Sequence, residues 1–530
     1  MALQLREVAL DLDEDEGLLP ARVAAELGLE CFHLKGFQVV RRGIDARRKP
    51  RVLRIFSVVF EMADEAALLE RQSGNRRLSR WQPPTLPEIQ PLGVCQRVLV
   101  AGMGPAGLFA ALSLARYGLQ VTLIERGEAV EKRVPAVNRF HAGGPFDPVS
   151  NIQFGEGGAG TFSDGKLNTR VKHPWSAYVL RTLVDFGAGE EILTQAKPHV
   201  GSDRLRLVLI NFRRELQRLG VEIRFGTRLT DLLFAGGRLR GAVLDEQEEF
   251  LCDSLVLATG HSARDTYGML AERGVALESK PFAVGLRVEH PAELINFIQY
   301  GHCRHPRLPT AEYALTYNDP DSKRGIYSFC MCPGGEVVLA ASEAGGVVVN
   351  GMSNRMRNGP YSNSALVVAV RPDDFDSADP LAGVRFQRRW EEAAFVAGGE
   401  DYRAPAQNLL AFLGRGNGLL NSSCRPGVRE WDLHQVLPPF VSSGLSRALP
   451  HFDRRMRGFI SAEATLVGVE TRTSAPLRIL RQADGQALHR PGLYPAGEGA
   501  GYAGGIMSAA LDGLKVAEQI AVTANNRSNR

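Results

Sequence analysis

Residues 97–107 are Arg97-Val98-Leu99-Val100-Ala101-Gly102-Met103-Gly104-Pro105-Ala106-Gly107, and Glu125 follows them in this 530-residue chain. The apolar run before Gly102 predicts a strand buried on both faces, and the run after Gly104 predicts a helix. Gly102 permits a tight turn, Gly104 leaves room for a pyrophosphate, and Gly107 lets the helix pack close to the strand. Together with the acid at Glu125, this unit predicts a site for the ADP half of a dinucleotide.

The helix that starts at Pro105 and Ala106 directs its free N–H groups and positive dipole end at the expected phosphates. Glu125, followed by Arg126, is expected to accept hydrogen bonds from the ribose hydroxyls. A carboxylate at this position disfavours a 2′-phosphate by charge repulsion. The motif alone does not separate NAD from FAD.

A second glycine turn near the C-terminus favours FAD. The segment Gly492-Leu493-Tyr494-Pro495-Ala496-Gly497-Glu498 predicts a short strand that ends in an acid, and Gly499 to Gly505 lead into a helix from about Ile506 to Ile520. An acid after such a strand can hold a ribityl hydroxyl, which NAD lacks, and a helix N-terminus can stabilise negative charge on a reduced ring. We therefore expect Gly497, Glu498, Gly504, Gly505 and Ile506 to contact the ribityl chain and the ring.

A third element agrees with these two. Residues 254–260 form an apolar strand closed by Ala258-Thr259-Gly260. The three pieces together resemble the glutathione-reductase-like FAD fold. This resemblance implies that Thr259 and Gly260 lie near FAD and that Thr227-Arg228-Leu229, at the exit of a strand, contacts adenine through Leu229.

Longer motifs narrow the resemblance, and they lie at residues 151–167, 329–335, 350–353, 469–476 and 497–505. They are similar to the signature of a bacterial family of functionally uncharacterised FAD-dependent dehydrogenases. The first motif implies that Gly158, Gly160 and Thr161 lie beside the cofactor. The resemblance implies a flavoprotein oxidoreductase but gives no substrate. Glu498 stands where the wider fold more often has Asp.

The fold class expected is α/β: a Rossmann-type FAD-binding domain with an inserted strand-rich substrate domain and a small N-terminal α+β domain. We predict an N-terminal domain at 1–80, a proline-rich linker at 81–93 and the first part of the FAD domain at 94–274. The inserted substrate domain is predicted at 275–455, the return to the FAD domain at 456–522 and a polar tail at 523–530.

The composition is that of an ordinary globular protein, with 44% hydrophobic and 23% charged residues and a net charge of +4. No apolar run approaches the length of a membrane span, and the N-terminus lacks the layout of a signal peptide. Both observations predict a cytoplasmic protein. Seven scattered cysteines indicate reduced thiols, and no spacing suggests a metal site.

Two residues near the glycine turns are candidates for chemistry. Lys166 follows a glycine-rich run, and its charge would raise the potential of a nearby flavin; a phosphate or structural contact is the equal alternative. His261 follows the Ala-Thr-Gly turn and could relay protons, although a satisfied core or surface histidine is the more common outcome.

Two arginines lie in family-like motifs. Arg287 and Arg472 could each bind a substrate carboxylate through a guanidinium fork. A structural ion pair with a neighbouring Glu289 or Glu470 is slightly favoured for both.

Two cysteines stand two residues apart, at Cys330 and Cys332. Flavin disulfide reductases usually space their thiols more widely, and residues i and i+2 of a strand lie near the upper limit for a disulfide. We expect buried or loop thiols, with lining of the substrate site as the alternative.

A dense basic stretch runs from Arg41 to Arg51. Between two predicted strands it should be a solvated loop. RNA binding through it is the less favoured interpretation, because no aromatic residues are interleaved.

Two hypotheses of function follow. The first is an enzyme in which tightly but non-covalently bound FAD accepts a hydride from a small-molecule substrate or from NAD(P)H that visits and leaves, because no second complete fingerprint appears between 200 and 450. In the second, the N-terminal domain binds RNA, a nucleotide or a protein partner, and the flavin serves redox sensing or RNA modification.

Overall fold

The computed structural model describes residues 2–169, 171 and 173–528. Its N-terminal segment contains strands β1 (Ala2–Asp11), β2 (Lys35–Arg48), β3 (Arg51–Glu61) and β4 (Leu78–Trp81), and helices α1 (Leu19–Leu27) and α2 (Glu65–Arg71). The strands form an antiparallel sheet in the order β2-β3-β1-β4. Alternate residues of β1, such as Leu3 and Leu5, are buried against α1 and α2, which gives this segment its own core.

The basic stretch at residues 41–51 is not the solvated loop that we predicted. β2 continues through Arg48 and β3 begins at Arg51, so that only Lys49 and Pro50 form the turn. Strand pairing uses backbone groups, and charged side chains can remain on the solvent face, so basic residues do not prevent the hairpin.

The middle segment alternates strands and helices. Its strands are β5 (Arg97–Ala101), β6 (Gln120–Glu125), β7 (Glu222–Phe225), β8 (Leu229–Ala235), β9 (Arg238–Leu244), β10 (Glu248–Leu251) and β11 (Ser254–Leu257). Its helices are α3 (Pro105–Arg116), α4 (Val130–His141), α5 (Trp175–Asp185), α6 (Ser202–Arg218) and α7 (Arg264–Glu272). The strands β10-β9-β8 form a separate antiparallel sheet.

The last segment is richer in strands. These are β12 (Leu277–Ser279), β13 (Phe282–Pro291), β14 (Thr316–Asn318), β15 (Gly325–Cys332), β16 (Glu336–Leu339), β17 (Val349–Met352), β18 (Tyr361–Val370), β19 (Ala404–Asn408), β20 (Val428–Glu430), β21 (Thr465–Glu470), β22 (Leu477–Ile479) and β23 (Leu493–Pro495). The helices are α8 (Ala292–Tyr300), α9 (Ala382–Gly398), α10 (Leu409–Phe412), α11 (Pro439–Arg455) and α12 (Ile506–Ser528).

A five-stranded parallel sheet in the order β23-β11-β5-β6-β7 carries both glycine turns. Its central strand β5 is buried from Val98 to Ala101, as the apolar run predicted. Helices α3 and α12 pack together on one face of the sheet. They approach so closely that a Cβ on Gly513 would lie 2.1 Å from the carbonyl oxygen of Ala106. The architecture is therefore mixed α/β with a Rossmann-like sheet.

A seven-stranded sheet in the order β14-β15-β18-β13-β21-β19-β20 forms the second large layer, over a core of its own. Because β21 pairs with β13 inside this sheet, the chain returns to the parallel sheet after Glu470 and not at 456 as predicted. The short pair β12–β22 accompanies this return.

The C-terminal helix is longer than predicted. α12 continues to Ser528, through most of the segment that we expected to be a polar tail, while residues 529 and 530 lie outside the described residues. Alanines such as Ala517, Ala521 and Ala524 keep a buried face along it, and alanine has the highest helix propensity. In the described part of the chain, no helix is both long and apolar enough to cross a membrane.

Candidate cofactor and substrate site

An elongated cavity lies at the carboxyl ends of β5, β6, β11 and β23, where open parallel sheets bind their ligands. It continues to the seven-stranded sheet, so that one end is lined by the first glycine turn and the other by β15, β17 and β21. The predicted cofactor residues that line it are Gly102, Gly104, Pro105, Ala106, Glu125, Arg126, Gly158, Gly160, Leu229, Thr259, Gly260, Gly497, Glu498, Gly505 and Ile506.

The three glycines of the first turn have different surroundings. A Cβ on Gly102 would lie 2.4 Å from the carbonyl oxygen of Ala258, and one on Gly107 would lie 1.9 Å from that of Gly102. Both are packing positions, and Gly107 does not line the cavity. A Cβ on Gly104 would meet nothing within 4 Å, because this glycine faces open space at the N-terminus of α3. That space suits a pyrophosphate.

Glu125 organises the turn as well as lining the cavity. Its carboxylate accepts backbone N–H bonds from Met103 at 2.8 Å, Gly155 at 2.9 Å and Gly127 at 3.0 Å. A carboxylate has about four lone-pair sites, so acceptor capacity remains for the predicted ribose contact. The same acid thus fixes the glycine turn and the glycine-rich motif relative to each other.

The part of the cavity beside β6 and β7 is lined by side chains from several segments. Thr227 and Leu229 line it after β7, where the resemblance placed the adenine contact. Arg126 stacks on the ring of Phe154, 4.4 Å from its centroid, and donates to Asp265 at 3.0 Å. We assigned no role to Phe154 from the motif at 151–167 that contains it.

A buried arginine that we did not predict shapes the glycine-rich motif. All five N–H groups of Arg133 are used, on the carbonyl oxygens of Asn151, Ile152, Glu156 and Gly158 and on the hydroxyl of Thr161, at 2.6–3.1 Å. Thr161 therefore lies behind the cavity wall and does not line it, in contrast to our prediction. Burial lowers the pKa of Arg133 to about 10, so it stays charged at neutral pH.

The second glycine turn lies at the N-terminus of α12. Asp512 accepts the N–H of Gly497 at 2.7 Å, and Glu498 accepts that of Gly505 at 3.4 Å. Burial raises the pKa of Glu498 to about 7. Gly504 does not line the cavity, and its N–H instead meets the hydroxyl of Ser508.

His261 lines the cavity with its Nε2 atom 4.0 Å from Oε1 of Glu498. Burial, with the nearby charges of Arg472 and Arg264, lowers the pKa of His261 to about 3. The ring is therefore neutral at physiological pH. It lines the cavity, and both the proton relay and the structural role remain predictions.

Arg472 lines the cavity but its charge is neutralised within the protein. It bonds to Glu391 at 2.7 and 3.0 Å, and Arg264 bonds to the same carboxylate at 2.8 and 2.9 Å. Our expectation of a pair with Glu289 or Glu470 was wrong for Arg472. Its partner Glu391 lies on α9, and a contact between residues so far apart in the sequence cannot be inferred from sequence spacing.

Lys166 and Arg287 lie behind the cavity wall. Arg287 is fully buried and bonds to Glu470 at 3.1 Å, the structural pair that we favoured. Lys166 donates to the carbonyl oxygen of Met331 and lies 3.9 Å from Asp164.

The far end of the cavity contains residues that we had not assigned to a site, namely Ser163, Phe329, Asn350, Glu470 and Thr473. Cys330 also lines it, which is the alternative that we left open for this residue. Several of these residues belong to the family-like motifs at 329–335, 350–353 and 469–476. The motifs therefore marked these positions but did not indicate that they line a cavity. Burial raises the pKa of Glu470 to about 7 despite the attraction of Arg287.

The basic hairpin is largely paired within the protein. Of its six basic residues, four have partners: Arg42 with Glu16 and Thr194, Arg47 with Asp45, Lys49 with the carbonyl of Ile298, and Arg51 with Asp11. The nucleic-acid hypothesis gains no support from this arrangement.

Among the described residues, no group of three or more His, Cys, Asp or Glu side chains could hold a metal ion.

Several solved structures match this chain at low similarity. They include a triple mutant of the flavin-dependent brominase Bmp2 (13% identity, 81% of this chain and 80% of that chain, TM-score 0.37). Glycine oxidase from Bacillus cereus (12%, 81% and 95%, 0.35) and CtdE in complex with FAD (12%, 81% and 86%, 0.32) are others. TM-scores this low support no inference about activity.

Sequence comparisons are more specific. A pyridine nucleotide-disulphide oxidoreductase model matches residues 96–277, a FAD-dependent protein C-terminal domain-like model matches 281–473, and a domain of unknown function matches 2–61. An uncharacterised protein of Clostridium beijerinckii is 44% identical over 527 residues, which cover 98% of each chain. The chain therefore belongs, with this relative, to a family of FAD-dependent oxidoreductases that joins a pyridine nucleotide-disulphide oxidoreductase module to a FAD-dependent C-terminal-like domain.

Proposed function

We propose that this protein is a dehydrogenase or reductase that passes a hydride between a small-molecule substrate and non-covalently bound FAD. The observation that carries the proposal is the open space along one cavity in front of Gly104 and Gly505. A Cβ on either glycine would meet nothing within 4 Å, and each stands just before the N-terminus of a helix, α3 or α12. When bound, FAD supplies two-electron hydride chemistry.

Different residues of the cavity would hold different parts of the cofactor. Gly104 and the N-terminus of α3 would hold the pyrophosphate, Glu125 the ribose, and Leu229 the adenine. Glu498 would hold the ribityl chain, and the N-terminus of α12 at Gly505 would stabilise negative charge on the ring. The backbone of 151–158, fixed by Arg133, closes the cavity beside Gly104: a Cβ on Gly158 would lie 3.2 Å from the Cα of Gly104.

The substrate end offers one group suited to proton transfer. With its pKa near 7, Glu470 exists in both protonation states around neutral pH, which is the condition for an efficient general acid or base. It lines the cavity and is oriented by Arg287. His261 is neutral, and Arg472 is neutralised by Glu391, so neither supplies a free cation to the substrate.

The electron donor is proposed to be the organic substrate itself or NAD(P)H that binds only transiently. Within residues 2–169, 171 and 173–528, the five-stranded sheet is the one sheet of more than two strands that is wholly parallel, and it is used for the FAD site. This supports the absence of a resident nicotinamide domain. The family model for residues 96–277 is compatible with NAD(P)H as a visiting donor.

The first experiment is the visible spectrum of the purified protein, followed by anaerobic titration with NADH and NADPH. We expect a flavin spectrum, and denaturation should release the flavin because no covalent bond is proposed. Prompt bleaching by one nucleotide identifies a visiting donor, and no bleaching identifies the substrate as the reductant. Failure to bind added FAD, or a saturable resident NADPH site in steady-state turnover, would contradict the proposal.

A further inference from the structure

Two cations lie beside the second glycine turn and outside the lining of the cavity. Lys280 directly follows β12, and Arg478 lies on β22, the strand that pairs with β12. Arg478 packs against the turn, because a Cβ on Gly501 would lie 3.0 Å from the Cα of Arg478. Both cations are half-buried, and neither lines the cavity. Neither is among the residues proposed to hold FAD.

Lys280 acts electrostatically on the cavity from behind its wall. Burial raises the pKa of Glu498 and lowers that of His261, and the charge of Lys280 shifts both values downward. Because charges act strongly only over short distances, the ammonium of Lys280 lies near the second glycine turn. Burial also lowers the pKa of Lys280 itself; Glu498 opposes this shift and Arg478 adds to it. The two cations thus repel each other.

No carboxylate in the described part of the chain forms an ion pair with either cation. Glu278 faces Arg478 across the β12–β22 pair, but it is exposed and makes no ion pair with it. The guanidinium of Arg478 lies 5.3 Å from the centroid of the Tyr502 ring, and its Nε atom is buried with no hydrogen-bond partner among the described residues. A partly buried charge without a counter-charge is unfavourable, so an anion bound beside Lys280 and Arg478 would stabilise both.

The turn beside these cations is open to solvent. Gly504 and Gly505 are exposed, and a Cβ on either would meet nothing within 4 Å. They precede α12, whose first N–H groups also attract negative charge. Gly501, against which Arg478 packs, belongs to the same turn. A molecule that reaches the flavin through this opening would therefore meet positive potential from the helix and from both cations.

We propose that Lys280 and Arg478 form an anion subsite at this opening, which binds a phosphate group of the molecule that reacts with the flavin. The proposal rests on the proposed function, because it describes how that molecule is held. Arginine and lysine are the usual protein ligands of phosphate. The phosphate belongs to a visiting NAD(P)H or to a phosphorylated organic substrate, and the experiments separate these two sources. The pyrophosphate of FAD itself is proposed to lie at Gly104, at the other glycine turn.

The first test measures access to Lys280 and does not depend on flavin chemistry. The full chain is labelled with a trace of acetic anhydride, which reacts with unprotonated amines, in the presence and absence of inorganic pyrophosphate. Peptide mapping by mass spectrometry gives the labelling of each lysine. We expect pyrophosphate to reduce the labelling of Lys280 severalfold and to leave unchanged that of Lys132, an exposed lysine on α4. Equal labelling of Lys280 with and without pyrophosphate would overturn the proposal.

Variants of Arg478 show whether both cations take part. Arg478→Gln should lose most of the protection of Lys280 by pyrophosphate, and Arg478→Lys, which keeps the charge, should retain part of it. The matched control is Arg389→Gln: Arg389 is exposed and lies 5.3 Å from the ring centroid of Trp390, the same distance as that between Arg478 and Tyr502. Full protection in Arg478→Gln would contradict a shared subsite.

The second test separates the two sources of the phosphate. Stopped-flow reduction of the holoprotein by NADH and NADPH gives a dissociation constant and a rate at saturation. If the phosphate is that of the dinucleotide, Lys280→Gln and Arg478→Gln should each weaken its binding about tenfold, and Arg389→Gln should match the wild type. If dinucleotide binding is unchanged in both variants while protection by pyrophosphate is lost, the phosphate is that of the organic substrate.

The outcomes also separate the subsite from the FAD site and from the proposed function. A loss of FAD affinity in Arg478→Gln would assign the cations to the pyrophosphate of FAD itself and refute the subsite. Protection of Lys280 by pyrophosphate in a protein that binds no FAD would refute the proposed function and retain the subsite. A bound, reducible flavin together with unprotected Lys280 would retain the proposed function and refute the subsite.

Discussion

The two ends of the cavity are built in different ways. The end proposed for the nucleotide is built mainly of backbone: glycine turns, helix N-termini and the ends of adjacent parallel strands, with Glu125 holding three N–H groups. The substrate end consists of buried charged side chains that neutralise each other, namely Arg287 with Glu470 and Arg472 with Glu391. The first end is held by close packing and by backbone hydrogen bonds to single charged side chains, Glu125 and Arg133, and the second by buried ion pairs.

This difference predicts that the two ends respond differently to substitution. At the end proposed for the nucleotide, an added atom would occupy space that the cofactor needs. At the substrate end, a removed charge leaves its partner buried and uncompensated, which is costly to the fold itself. The following predictions test this division.

The largest effect is expected from Glu391→Gln. It removes the buried carboxylate that Arg264 and Arg472 share and leaves them only the partly exposed Glu343, and breaking a buried ion pair costs about 3–5 kcal/mol of stability. Urea unfolding at pH 7 measures this loss. The control is Glu392→Gln, the exposed neighbour on α9, which should unfold like the wild type. Equal stability of the two variants would show that the network does not stabilise the fold.

Gly104→Val should act on ligand binding and leave the fold intact. The new side chain enters open space, and overpacking against the cofactor costs about 1–3 kcal/mol, roughly 5- to 150-fold in affinity. FAD titration followed by flavin fluorescence measures the change. Gly74→Val, at an exposed glycine that also has no atom within 4 Å of its Cβ position, is the matched control. Unchanged FAD affinity in Gly104→Val would place the pyrophosphate elsewhere.

Glu470 makes the substrate end sensitive to pH. Burial raises its pKa from 4.5 to about 7, so the folded state binds a proton that the unfolded state has released between these values. Stability should therefore fall as pH rises from about 4.5 to 7, by up to about 1.4 kcal/mol per pH unit from this group. Urea unfolding at several pH values should show a smaller slope for Glu470→Gln than for the wild type. Glu463→Gln, at an exposed position, should keep the full slope; the same slope in all three proteins would refute the assignment.

The smallest effect is expected from Arg47→Gln in the N-terminal hairpin. Its pair with Asp45 is exposed, and such pairs contribute little to stability. FAD affinity and the urea midpoint should both match the wild type. A change in FAD affinity would show that the N-terminal sheet is coupled to the cavity. It would contradict the assumption that only the residues at the two ends of the cavity control binding.

Most of the nucleotide end could be predicted because its parts are local in sequence. The turn at 102–107 and Glu125 lie within one strand–helix–strand unit, and each residue type is required by a backbone conformation or a close contact. Gly107, Thr161 and Gly504 were assigned to the cofactor and lie outside the cavity wall. Gly107 is required by close packing, which has the same sequence signature as a ligand contact, whereas Thr161 accepts from Arg133 and the N–H of Gly504 donates to Ser508.

The substrate end could not be predicted because its pairs are distant in the chain. Arg472 meets Glu391 across 81 positions, and Arg287 meets Glu470 across 183. No periodicity relates such residues, and a charged residue in a sequence is more often exposed than buried. A bulge in β15 places Cys330 at the cavity, and it likewise depends on the pairing of β15 with β18, which local sequence does not specify.

The late position of β23 in the sequence affects when the parallel sheet can be completed during synthesis. β11 pairs with β5 on one side and with β23 on the other, although β23 is synthesised more than two hundred residues after β11. A growing chain that has already produced the first glycine turn still lacks the strand and helix that complete the flavin end. Such long-range contacts reduce the rate of folding. Until they form, apolar strand edges are exposed and prone to aggregation. Cofactor capture is thus a late event in biogenesis, and recombinant yield should depend on the flavin supply after synthesis of the chain has passed α12.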